Sequence, residues 1–118
     1  MPNVKGRSKV ILQPEDVKVG ITIRVKAASS ATANDGYIPY GLTVSGVATT
    51  IYDEDGSDVT TDLRYAMPTV SGGEYVKIEL QYPTTNGEGR YTLTHLLTLS
   101  DGATRELDFS RIYAKDLR

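Results

Sequence analysis

Hydrophobic residues recur at every second position through much of this chain. Between residues 21 and 27, Ile21, Ile23, Val25 and Ala27 alternate with Thr22, Arg24 and Lys26. Such strict alternation, rich in β-branched residues, marks a strand with one face on a core and the other in water. The pattern returns at Val76, Ile78, Leu80 and Tyr82, which alternate with Tyr75, Lys77, Glu79 and Gln81. It returns again where Tyr91, Leu93, Leu97 and Leu99 share a parity with His95, while Leu96 sits among Thr92, Thr94 and Thr98. Ser100-Asp101-Gly102 then signals a tight hairpin, because Asp-Gly populates the positive φ that such turns need. On the return strand Leu107 and Phe109 share a face and Ile112 falls on the other parity. A β-bulge near Ser110-Arg111 is expected to keep Ile112 inward.

Weaker strand signals fill the rest. Residues 9–12 form a short apolar run stopped by Pro14, and Val17 and Val19 lead into the strand at Ile21. Leu42 and Val44 precede a break at Gly46, after which Val47, Thr49 and Ile51 alternate up to a turn at residues 53–56. Residues 29–36 are small and polar, which predicts a mobile loop. Pro39 assigns Tyr37–Tyr40 to an edge or irregular segment. Helix competes only in residues 58–67, where Thr60 or Thr61 is placed to cap a single turn that Pro68 ends. That stretch is expected to be an irregular crossover between two sheets. Residues 71–73 form a turn and 83–89 a Gly-rich corner.

About seven short strands with turns every 8–12 residues predict an all-β, antiparallel Greek-key β-sandwich over residues 9–118, with a small closed barrel as the alternative. Residues 1–8 read as a flexible basic arm that orders on a partner. No repeat of solenoid or propeller period is visible. At 118 residues the chain holds one core.

Composition narrows the class further. The chain has no cysteine and no tryptophan, so packing and strand pairing replace any disulfide. No run approaches the length of a membrane-spanning helix, and the basic N-terminus has no apolar signal segment. No membrane partner is expected. The net charge of −2 is unevenly spread. Residues 1–28 carry six basic groups against two acidic, residues 29–63 carry six acidic groups and no base, and the remainder balances. This asymmetry suits head-to-tail contacts between copies, or two solvated faces of opposite sign.

Candidate chemistry is sparse. Aligning Gly56 with the turn glycine of a calcium loop puts Ile51 where a carboxylate is required, so residues 53–58 read as a solvated hairpin turn. His95 is the single histidine, which excludes a multi-histidine metal site and reads as a core or rim residue. No nucleophile elbow, phosphate loop or zinc spacing is present. No catalytic residue, metal or cofactor is therefore assigned. Lys5, Arg7 and Lys9 form a basic arm, but without an aromatic platform they predict no specific nucleic-acid binding. Tyr37, Tyr40 and Tyr52 lie in or near loops and offer rigid amphipathic contact surface, for protein interfaces or for sugar stacking. These six residues are the candidate interface.

Tyr91 follows Gly89 at a strand start after a tight corner, which resembles the tyrosine corner of immunoglobulin-like (Ig-like) sandwiches, with Gly87 where Asp is usual. Residues 42–116 resemble small Ig-like proteins encoded among the structural genes of tailed bacteriophages. The segments that carry this are GLTVSGVATTIYDEDGSDVT, YVKIEL and GEGRYTLTHLLTLSDGATRELDFSRIYAKD. The resemblance implies a non-enzymatic virion protein of the head–tail joint, neck, fibre or capsid surface, assembled in several copies with other virion proteins. A carbohydrate-binding adhesion module is the alternative. Either function would use residues 1–62.

Overall fold

The computed structural model describes residues 9–117; the expected arm at residues 1–8 lies outside the described residues. In chain order the elements are β1 (Val10–Leu12), β2 (Val19–Arg24), β3 (Val44–Tyr52), α1 (Thr60–Leu63), β4 (Arg64–Ser71), β5 (Tyr75–Leu80), β6 (Gly89–Leu99) and β7 (Thr104–Ala114). They form two sheets, of order β1-β7-β6-β3 and β2-β5-β4.

The alternation read from the sequence becomes the inner lining of both sheets. Ile21 and Ile23 of β2 with Val76, Ile78 and Leu80 of β5 line the smaller sheet, and Leu93, Leu97, Leu107 and Ile112 line the larger. All belong to one buried cluster, which Leu63 of α1 joins from the crossover. Truncating any one of these leucines would leave a cavity costing about 2–5 kcal/mol.

The β6–β7 pair carries the expected bulge. Tyr91 faces Ile112 and Leu93 faces Phe109, so Ser110 and Arg111 together oppose Thr92. Ile112 is thereby fully buried. The break at Gly46 is a second register shift, between Val44 and Gly46 on β3.

Five expectations are corrected. Pro68 does not end a structured segment: it lies inside β4, an edge strand, where the β4–β5 register slips between Ala66 and Thr69 and no ladder donor is needed. Neither Thr60 nor Thr61 caps α1, because the Thr60 hydroxyl accepts the Ile51 N–H at 2.9 Å and donates to Asp58 at 2.6 Å. The sandwich is not wholly antiparallel, since β1 pairs parallel to β7 and Lys115 N–H extends the ladder to Leu12 O at 2.9 Å. The β6–β7 hairpin closes over three residues: Leu99 N–H reaches Ala103 O at 2.8 Å and Gly102 supplies φ 89°. Finally, residues 29–36 are tied down. Ser29 N–H bonds the Asp35 carboxylate at 3.0 Å, which holds that acid below its usual range. Gly36 lies so close to the 27–28 backbone that a Cβ there would sit 2.0 Å from Ala28 N.

Candidate functional site

Of the six candidate interface residues, Lys5 and Arg7 lie outside the described residues, and Lys9 is exposed just before β1. The three tyrosines do not form one surface. Tyr37 is a latch: its hydroxyl donates to Glu106 O at 2.7 Å, and Arg105 donates to Tyr37 O at 3.1 Å. Burial raises its phenol pKa. Tyr40 is 58% exposed in the following loop, near the start of β3. Tyr52 is half-buried at the other end of β3, opposite Thr92. Eight residues of strand separate the two ends, about 27 Å. A single sugar ring spanning these tyrosines is excluded by that distance.

The acidic residues gather at the Tyr52 end and are used by the backbone. The Asp53 carboxylate accepts the N–H groups of Asp55 and Ser57, each at 2.9 Å, which shapes the turn around Gly56 at φ 83°. Glu54 accepts the Arg90 N–H at 2.9 Å. Asp58 lies below the usual carboxylate range because the Thr60 hydroxyl and amide bind it. Asp62 holds the 83–89 corner, accepting from Thr84 N–H at 2.9 Å, Thr85 N–H at 3.2 Å, and Asn86 N–H and Nδ2 at 2.8 Å each. Burial pushes this carboxyl up, but the amides of Asn86, Thr85 and Thr84 outweigh it and leave its pKa lowered. Beside it Tyr91 donates its hydroxyl to Gly87 O at 2.6 Å, the contact expected of a tyrosine corner. An open groove of about 540 Å³ crosses this end, with Glu54, Glu88, Arg90 and Lys115 among its lining residues. Among the described residues no group of three or more His, Cys, Asp or Glu side chains is arranged to hold a metal ion.

His95 is 0% exposed, on β6 between Thr49 of β3 and Leu107 of β7. Its Nδ1 lies 2.7 Å from the Thr49 hydroxyl, and its Nε2 has no hydrogen-bond partner among the described residues. Burial lowers its pKa from 6.5 to about 4. Neutral and sealed from solvent, it has no path to a substrate. It is scaffold.

Two surfaces escaped the sequence reading. Tyr65, Met67 and Tyr75 are exposed on the outer side of the smaller sheet, with Lys18 lying 5.7 Å from the Tyr65 ring and Arg24 6.0 Å from that of Tyr75. The helical signal of residues 58–67 concealed the first two. The other surface is the free edge of β3. Ile51 N–H bonds the Thr60 hydroxyl and Ile51 O accepts from Val59 N–H at 2.8 Å, so the backbone of Ile51 points away from β6. The β3–β6 register is regular from Val47 to Tyr52. By the alternation of antiparallel ladders, the N–H and C=O of Val47 and Thr49 point the same way. Among the described residues nothing pairs with them. The signal was available: residues 44–52 contain no charge and no proline.

Comparison with protein-family models gave no match, and comparison with curated proteins gave none either.

Proposed function

We propose that this chain is a non-enzymatic structural protein of a tailed-phage virion, an Ig-like Greek-key module that works by assembling in several copies with other virion proteins. The observation that carries the Ig-like part is the strand order. β2-β5-β4 faces β3-β6-β7 as strands B-E-D face C-F-G in Ig-type sandwiches, with β1 beside β7 instead of beside β2. Tyr91 sits near the start of the F-like strand and bonds backbone four residues upstream. The virion role is supported by the resemblance of residues 42–116 to phage Ig-like structural proteins. It is also supported by side-chain use: Asp53, Asp58, Asp62, Tyr37 and Tyr91 are committed to holding turns and corners. What remains for partners is backbone edge and exposed surface.

Gene neighbourhood and glycan binding test this reading together. Neighbouring genes for portal, capsid or tail proteins are expected, with no glycan-array signal from the isolated chain. Specific glycan binding that Tyr40→Ala abolishes would overturn it in favour of an adhesion module.

A further inference from the structure

We propose that the free edge of β3 is the docking site for residues 1–8 of a second copy of this chain. This rests on the multi-copy reading above and names the contact that would build the assembly.

The edge is a defined window. At one end Thr60 and Val59 occupy Ile51, and at the other Gly73 O accepts the Val44 N–H at 2.8 Å. Between them Val47 and Thr49 offer two donors and two acceptors, enough for four main-chain bonds to an extended segment. The other edges are blunted. β4 carries Pro68 and two register shifts, β1 is three residues long, and Lys18 and Arg24 flank β2. Over Gly46–Thr50 the edge has neither charge nor proline, the devices that ordinarily prevent strand addition.

Charge selects the occupant. Lys5 and Arg7 lie in the arm and Lys9 at its root, with no acidic residue before Glu15. β3 runs directly into Asp53, Glu54 and Asp55, in a stretch with no base between residues 29 and 63. An arm on the β3 edge therefore brings its cations to the one acidic turn adjoining the window.

Geometry makes the contact intermolecular. The arm leaves from β1, at the opposite edge of the four-stranded sheet. Lying beyond β3 requires crossing four strand spacings, about 19 Å. Val10 is level with Ile112, whereas the window is level with Glu106, roughly 16 Å further along the strands. The combined path of about 25 Å uses nearly all of the ~27 Å that eight residues span when fully extended, leaving none to pair. A neighbouring copy has no such constraint. Donor arm and acceptor edge are different surfaces, so the contact is head-to-tail and propagates to a ring or filament.

Sedimentation velocity of the full chain, of a chain lacking residues 1–8, and of the Val47→Pro and Lys5→Glu/Arg7→Glu variants tests this. A labelled peptide of residues 1–9 titrated into the arm-deleted chain completes the set. The full chain should self-associate, about tenfold or more weakly when NaCl is raised tenfold. All three variants should sediment as monomers, and the peptide should bind the arm-deleted chain saturably. The charge-reversed arm lies outside the folded strands, so its result stands even if Val47→Pro fails to fold. Association that persists without the arm would overturn this docking site and leave the multi-copy reading intact. No association by the full chain, with no peptide binding, would overturn it equally. Absence of the chain from virions would sink the functional reading whatever the peptide does.

Discussion

Acid should weaken this fold over a defined pH window, because His95 is buried neutral. In the folded chain its pKa is about 4, from burial, against 6.5 for the ordinary side chain. Below about pH 6.5 the unfolded chain binds a proton that the folded chain refuses, so stability falls as pH falls. The loss grows until the folded imidazole itself titrates near pH 4, and is constant below that. At 1.36 kcal/mol for each tenfold, the difference amounts to roughly 3 kcal/mol. That is a large part of the 5–15 kcal/mol typical of a domain. Asp35, Asp58 and Asp62 also have lowered pKa values, but their contributions are lost only as pH drops through the carboxylate range, below His95's window. Urea unfolding followed by far-UV circular dichroism at several pH values between 7.5 and 4.5 should show the decline. His95→Leu should flatten it, though it leaves the Thr49 hydroxyl without its partner and costs about 1 kcal/mol at neutral pH. A wild-type profile flat from pH 6.5 to 4.5, or equal slopes in the two proteins, would refute the reasoning.

Three further substitutions probe the framework. Tyr91→Phe removes only the hydroxyl bonded to Gly87 O and should lower stability by about 1 kcal/mol in urea titration, with the midpoint but not the slope changed. Asp62→Ala frees the amides of Thr84, Thr85 and Asn86 and should cost about 2 kcal/mol, with hydrogen exchange accelerated locally at those three residues. Gly36→Ala drives a Cβ into the Ala28 backbone and should cost on the order of 3 kcal/mol by thermal melting, whereas Gly41→Ala, with open space around it but φ 82°, should cost only about 1 kcal/mol.

The sequence disclosed the inner faces well, because period-two alternation is a local signal. Ile21, Ile23, Val76, Ile78, Leu80, Leu93 and Leu97 all point inward as their parity required. Even the bulge at Ser110-Arg111 was legible, since the parity switch between Phe109 and Ile112 admits few other solutions. Long-range use of polar groups was not. Tyr37 was read as free surface because nothing near it announces a carbonyl 69 residues later. The Asp62 anchor spans 22 to 24 residues and was invisible for the same reason. β4 was hidden by a local conflict: residues 60–67 mix helix formers with a proline, and only the edge position and irregular pairing with β5 let a strand run through Pro68. The unpaired backbone at Val47 and Thr49 could not be located before the sheet order placed β3 at an edge.

The central claim is that this chain is built into virus particles. Quantitative mass spectrometry of gradient-purified virions from the host strain that carries this gene tests it most directly. The account predicts the chain in the particle fraction, in multiple copies at a fixed ratio to the major capsid protein. Abundance in the host lysate with absence from the purified particles would contradict it.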